Sequence, residues 1–139
     1  MNIHLQYDVP GDDFTRAGEA SAAVKRKLKQ LGFDPELVRR LAIAMYEAEI
    51  NMVIHADGGV VEVEILPDRV IAKMKDVGPG IPNVELAMRE GWSTAPDDVR
   101  SLGFGAGMGL PNIKKYSDEM TLETEIGKGT TITVTVFVK

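Results

Sequence analysis

The chain has 139 residues, a formal net charge of −5, a hydrophobic share of 44% and a charged share of 27%, which is typical of one soluble globular domain. Its negative charge disfavours a nucleic-acid binder, and the absence of cysteine excludes disulfides, thiolate nucleophiles and cysteine metal sites. No apolar run approaches the roughly 18 residues that span a membrane, and the N-terminus does not resemble a signal peptide, so we expect a cytoplasmic protein.

The first third of the chain predicts one strand and two helices. Residues 3–7 alternate between apolar and polar side chains, which predicts a strand that ends at Pro10-Gly11. Apolar residues then recur at three- and four-residue spacing over residues 14–31, as in an amphipathic helix. Asp34-Pro35 marks the start of a second helix.

The second helix carries a polar stripe beside its apolar face. Glu47, Asn51 and His55 follow one another at four-residue spacing and therefore project from neighbouring turns. A solvated face is the ordinary explanation of such a stripe. Chemically, Asn51 offers a neutral oxygen that suits Mg²⁺, and Glu47 offers a carboxylate that can hold or deprotonate an attacking hydroxyl or water.

A predicted hairpin, with strands near residues 61–65 and 70–74, ends on Asp76-Val77-Gly78-Pro79-Gly80-Ile81. A carboxylate at this point can accept a hydrogen bond from an exocyclic amine such as that of adenine. Gly78 and Gly80 allow a flat ring to lie against the backbone. For Asp76 taken alone, a plain turn residue is the alternative.

A glycine-rich stretch follows a segment, residues 91–102, that lacks periodicity and is expected to be a mobile lid. Glycine occupies every second position from Gly103 to Gly109, and Leu110-Pro111 opens a helical pattern. A glycine loop before a helix N-terminus suits phosphate, although a flexible linker is the alternative. Arg100 is a candidate for charge on the γ-phosphate side, with a solvated surface arginine as its alternative.

The last part of the chain predicts a closing hairpin, residues 122–126 and 131–138, whose β-branched second strand suits a central position in a sheet. The order of elements predicts one α+β sandwich domain over residues 1–139. The first strand offers an edge on which a second copy could pair. The chain has no P-loop, no Rossmann fingerprint, no nucleophile elbow and none of the ordinary protein-kinase motifs.

Four motifs together resemble the histidine-kinase-like ATPase superfamily, which groups gyrase, heat-shock chaperones and histidine kinases. Glu47-x-x-x-Asn51-x-x-x-His55-Ala56 resembles its N-box, and Asp76-x-Gly78-x-Gly80 resembles its first glycine box. The alternating glycines of 103–109 resemble the second glycine box, and Gly127-x-Gly129-Thr130 resembles the last glycine-threonine turn. The resemblance implies Mg²⁺ and ATP as ligands and a two-layer sandwich of a mixed sheet with helices on one face.

Within that superfamily, the short single domain resembles the anti-sigma factor and switch serine/threonine kinases of bacterial stress and sporulation control. The segment GWSTAPDDVRSLGFGAGMGLPNIKKYSDEM especially resembles the switch kinase that works within the stressosome. The resemblance implies phosphorylation of a small partner of the sulfate-transporter/anti-sigma-antagonist (STAS) type. It makes Glu47 the base, Asn51 the Mg²⁺ ligand and Asp76 the adenine anchor. It also implies a lid over residues 81–102 and nucleotide contacts at Gly78, Gly80, Ile81, Gly103, Phe104, Gly105, Ala106, Gly107, Met108, Gly109, Leu110 and Thr130.

Two other functions remain open at this point. The first is a regulator that senses ATP and holds a sigma factor, a phosphatase or another partner without catalysis. The second is a detached catalytic domain of a histidine kinase. Glu47 beside Asn51 favours the enzyme, because a mere binder has no need of the carboxylate.

Overall fold

The computed structural model describes residues 2–11, 18–54, 58–78 and 109–138. Eight elements lie within these ranges, in the order β1 (Ile3–Pro10), α1 (Glu19–Gln30), α2 (Pro35–Ile54), β2 (Gly58–Ile65), β3 (Arg69–Asp76), α3 (Gly109–Tyr116), β4 (Glu119–Glu125) and β5 (Gly129–Phe137). The strands form one sheet in the order β1-β2-β3-β5-β4, and all four of these neighbouring pairs are antiparallel.

The sheet buries one face because its inner strands alternate apolar and polar residues. Val61, Val63 and Ile65 are almost fully buried on β2, and equivalent alternating positions are buried on β3 and β5. These side chains and the apolar stripes of the three helices form one core, and α2 contacts both α1 and α3. The predicted two-layer α+β sandwich with helices on one face is therefore confirmed, and where the resemblance implied a mixed sheet, the described strands pair in antiparallel fashion throughout.

Most predicted element bounds agree with the structure. β5 lies inside the sheet between β3 and β4, as its β-branched sequence predicted, and β1 lies at an edge. α1 begins at Glu19, with Gly18 as its N-cap at φ +96°, whereas the pattern predicted a helix from residue 14; residues 12–17 lie outside the described ranges. Within those ranges, no helix has both the length and the apolar character needed to cross a membrane.

Candidate nucleotide-binding and catalytic site

Asp76 is the last residue of β3, where the register of the sheet places it beside the turn between β4 and β5. The backbone N–H of Thr130 donates to Asp76 Oδ1 at 2.7 Å, and the N–H of Gly78 donates to the carbonyl oxygen of Lys128 at 3.2 Å. Burial raises the pKa of the Asp76 carboxyl, and the hydrogen bond from Thr130 acts in the opposite direction. These hydrogen bonds fix the end of β3 to the turn Gly127-x-Gly129-Thr130, which the sequence analysis identified as a separate motif.

Gly129 allows this close approach. A Cβ atom built on Gly129 would lie 2.3 Å from the carbonyl oxygen of Asp76 and 3.0 Å from its Oδ1, at a backbone φ of +148°. Any side chain at this position would therefore push the turn away from Asp76. The next residue, Thr130, is buried, and its hydroxyl lies 2.9 Å from the hydroxyl of Thr124 on β4.

Glu47 lies on α2, half-buried, and it contacts α3. The side-chain amide Nδ2 of Asn112 donates to Glu47 Oε1 at 3.4 Å. Burial raises the pKa of the Glu47 carboxyl, while the Asn112 hydrogen bond opposes this rise. Glu47 also lines a surface groove between α1 and α2, together with Lys25 and Tyr46. A partly buried carboxylate with a raised pKa at the edge of a groove is suited to accept a proton.

Asn51 lies one turn after Glu47 on α2 and is partly exposed. In the described part of the chain, no three histidine, aspartate or glutamate side chains come together as a metal site. Mg²⁺ does not require such a set, because phosphate oxygens and waters usually fill most of its octahedron. The neutral amide oxygen of Asn51 therefore fits a metal ion that arrives with a nucleotide.

Several predicted site residues fall outside the description. Among the predicted residues that are described, Gly78 lies two residues after the end of β3, Gly109 is the first residue of α3, and Leu110 is buried against the core in the first turn of α3. The following predicted residues lie outside the described ranges: His55, Gly80, Ile81, Arg100, Gly103, Phe104, Gly105, Ala106, Gly107 and Met108. Their assigned roles remain predictions, as does the lid over residues 81–102.

Glu49 is an important residue that the sequence analysis missed. It is only 2% exposed, and its carboxylate accepts backbone N–H groups of Gly18, Ala20 and Ser21 at 2.9, 3.1 and 3.0 Å. It therefore caps the N-terminus of α1 from the neighbouring helix, where a negative charge complements the helix dipole. A signal was present, because Glu49 continues a stripe of positions whose other members are wholly or partly buried: Val38, Ala42, Met45 and Met52.

Asn112 is the second missed residue. It lies three residues after Gly109 in the first turn of α3, half-buried, and its partner Glu47 is 65 residues away in the chain. Nothing in the local pattern of GLPNIKKY distinguishes an asparagine that reaches another helix from one that faces solvent.

Comparison with known proteins identifies a family and several named relatives. Residues 36–139 match the family described as Histidine kinase-, DNA gyrase B-, and HSP90-like ATPase. The chain is 34% identical over 108 residues to a serine/threonine-protein kinase, RsbT of Bacillus subtilis, covering 75% of each chain. It is 36% identical over 139 residues to an anti-sigma F factor of Clostridium acetobutylicum, covering 95% of this chain and 89% of that one.

Solved structures show the same fold at lower identity. The chain aligns over its whole length with 33% of a chain that contains the RsbU and RsbW domains of Rv1364c from Mycobacterium tuberculosis, at a TM-score of 0.63 and 18% identity. It also aligns over 95% of its length with 88% of a chain in the SiaB–SiaC complex from Pseudomonas aeruginosa, at a TM-score of 0.61 and 12% identity. With a family match over most of its length and a sandwich of the same fold, the chain belongs to the histidine kinase-, DNA gyrase B- and HSP90-like ATPase family.

Proposed function

We propose that this chain is an ATP-dependent serine/threonine protein kinase of the anti-sigma or switch type, and that it phosphorylates a small STAS-type antagonist protein in the cytoplasm. The proposal depends above all on the half-buried carboxylate of Glu47. This carboxylate accepts a hydrogen bond from Asn112 and lies one helical turn before Asn51. A protein that only binds ATP has no use for such a carboxylate. The similarity to a relative named as a serine/threonine-protein kinase supports the same conclusion.

Nucleotide recognition is assigned to the end of β3 and the turn before β5. Asp76 uses Oδ1 to accept the Thr130 N–H, so its Oδ2 is the atom assigned to the exocyclic amine of adenine. Thr130 holds this carboxylate in place from the opposite strand. Gly78, Gly80 and the alternating glycines of residues 103–109 are assigned to contact the adenine base and the phosphates through their backbone.

Catalysis is assigned to α2. Glu47 accepts the proton of the acceptor hydroxyl while the hydroxyl oxygen forms a bond to the γ-phosphorus, and the bond from that phosphorus to the β–γ bridging oxygen breaks to release ADP. Mg²⁺, when bound with the phosphates at Asn51, supplies neutralisation of their charge. Arg100 is assigned to the γ-phosphate side.

A regulator without significant catalysis is the second candidate. It is favoured by the similarity to anti-sigma F factors, whose name describes a protein that acts on a sigma factor. In that case the ATP-bound chain would hold a sigma factor or a phosphatase. A homodimer paired along β1 is compatible with either function, because β1 is an edge strand.

The deciding experiment incubates the protein with γ-labelled ATP, Mg²⁺ and, one at a time, every STAS-domain protein of the source genome. We expect label on a serine or threonine of one of them, and a rate lower by about 100-fold or more in Glu47→Ala. Glu64→Ala serves as the control, because Glu64 is exposed on β2. Tight ATP binding without transfer to any of these proteins would reject the kinase and leave the regulator.

The metal assignment has its own test. Asn51→Ala should weaken the dependence of ATP binding on Mg²⁺, measured by calorimetry with and without the ion. Equal Mg²⁺ dependence in the variant and the wild type would remove Asn51 from the metal site.

A further inference from the structure

Asn112 connects two parts of the proposed site: α3, which follows the glycine-rich segment, and Glu47 on α2. It belongs to α3, which begins where the glycine-rich segment ends, and its amide reaches the carboxylate of Glu47 on α2. α3 is firmly placed, because Ile113 next to Asn112 is fully buried and Leu110 is 7% exposed. The side chain of Asn112 therefore approaches Glu47 from a fixed backbone.

A second contact joins α2 to the short segment between α3, which ends at Tyr116, and β4. Arg40 of α2 donates to Asp118 Oδ1 at 3.0 Å, and Asp118 Oδ2 accepts the backbone N–H of Phe137 on β5 at 2.8 Å. α2 thus makes one polar contact with α3 itself, at Asn112, and a second with the segment that follows α3, at Asp118. Of these two contacts, only the one between Asn112 and Glu47 involves a residue that is assigned a catalytic role.

We propose that Asn112 is a positioning residue for Glu47, whose amide holds Oε1 and leaves Oε2 to accept the proton of the acceptor hydroxyl. The proposal rests on the kinase function proposed above. A carboxylate attached by flexible single bonds has several orientations, and a hydrogen bond to one oxygen selects among them. Because Asn112 lies three residues after Gly109, in the first turn of α3, the same bond links the position of the base to the helix that follows the proposed phosphate loop.

The chemistry of the amide suits this role. An asparagine donates a hydrogen bond but carries no charge and cannot take the proton itself. A lysine at this place would pair with the carboxylate and weaken it as a base, and an aspartate would repel it. Burial raises the pKa of Glu47 and the Asn112 hydrogen bond only partly opposes that rise, so the amide orients the carboxylate without the full charge that would make it a weak base.

The kinetic test is a double-mutant cycle with Asn112→Ala and Glu47→Gln, using the STAS-domain protein labelled most strongly by the wild type. We expect Asn112→Ala to lower kcat about tenfold, the size of one hydrogen bond to a charged group, with KM for ATP and for the acceptor nearly unchanged. In the Glu47→Gln background, Asn112→Ala should have no further effect. Lys114→Ala, an exposed change on the same helix, is the matched control and should leave kcat unchanged.

The proposal is overturned if Asn112→Ala lowers kcat equally in both backgrounds, if KM changes instead of kcat, or if kcat does not change. Asn112→Asp gives a second reading with the same side-chain shape, and it should lower kcat further because it places a carboxylate beside Glu47. Wild-type kcat in Asn112→Asp would also overturn the proposal. This variant decides the matter if Asn112→Ala does not fold.

A measurement without ATP or acceptor separates this proposal from the kinase function. The side-chain amide signals of Asn112, assigned by their loss in Asn112→Asp, should shift in the NMR spectrum of Glu47→Ala and stay in place in Glu64→Ala. Unchanged signals in Glu47→Ala would disprove the contact, whatever the kinase assay shows. If the wild type labels no protein but the Asn112 amide signals do shift in Glu47→Ala, the contact between Asn112 and Glu47 exists. In that case the kinase function is rejected, and the catalytic role of the contact is rejected with it.

Discussion

Replacing Glu49 by glutamine tests the contact that fixes α1 to α2. The carboxylate accepts three backbone N–H groups at 2.9 to 3.1 Å and is 2% exposed, so water cannot replace a lost bond. Glutamine has the same length but offers one acceptor oxygen and an NH₂ group. That NH₂ group faces N–H donors, and at least one of the three donors is left unsatisfied.

The expected loss follows from these bonds. A hydrogen bond to a charged group contributes about 1.5–3 kcal/mol, and neutral bonds are roughly half as strong. Relief of the desolvation cost of the carboxylate offsets part of this loss. We therefore expect Glu49→Gln to lower the free energy of unfolding by about 2–4 kcal/mol, a large part of the roughly 5–15 kcal/mol that stabilises such a domain.

The assay is urea unfolding followed by circular dichroism, with Glu64→Gln as the matched exposed control. The control should stay within about 0.5 kcal/mol of the wild type. Amide exchange at Gly18, Ala20 and Ser21 should become faster in Glu49→Gln. A Glu49→Gln protein as stable as the control, with unchanged exchange at these three amides, would refute the reasoning.

Three further changes test the site itself. Burial raises the pKa of Glu47 from its ordinary value of 4.5, so wild-type stability falls as pH rises from that value through the folded-state pKa. Glu47→Gln should remove this loss and be at least as stable as the wild type at pH 7 in urea unfolding, and a less stable variant would contradict the burial argument. Asp76→Asn keeps an oxygen that accepts the Thr130 N–H, and because burial also raises the pKa of Asp76, this variant should not lower stability at pH 7. Calorimetry should nevertheless show ATP affinity at least about tenfold weaker, and unchanged affinity would reject the adenine assignment. Gly129→Ala should also weaken ATP binding, because its Cβ would lie 2.3 Å from the Asp76 carbonyl oxygen, while Gly32→Ala, with no atom within 4 Å, should cost only its strained φ of +82° and keep wild-type affinity.

The elements could be predicted wherever their pattern is local. α2 follows from an apolar stripe at helical spacing after Asp34-Pro35, and β3 follows from alternating residues that end at a glycine turn. Asp76 could therefore be placed at a strand end, and Glu47 and Asn51 on neighbouring turns, from the sequence alone. Their assignment to one nucleotide site came from the family resemblance and remains a prediction.

The missed contacts all join distant parts of the chain. Glu47 and Glu49 are the same residue type two positions apart, yet one contacts a side chain of α3 and the other is buried by backbone groups of α1. Every residue except proline has a backbone N–H donor, so the residue types of α1 do not indicate that its N-terminus contacts Glu49. Local periodicity contains no information on which helix packs on which side of α2.

The position of Glu47, Glu49 and Asn51 on one continuous helix has a consequence for how this chain can vary in length. Each residue of an α-helix turns about 100°, so one inserted or deleted residue between Glu47 and Asn51 would rotate one end of this segment away from its partner. α2 has 20 residues, and it contacts α1 on the side of Glu49 and α3 on the side of Glu47. Substitutions in this segment change one contact at a time, whereas a change of length breaks the register of both sides at once. Deletion scanning should therefore find residues 47–51 far less tolerant than the exposed turn at Pro67-Asp68.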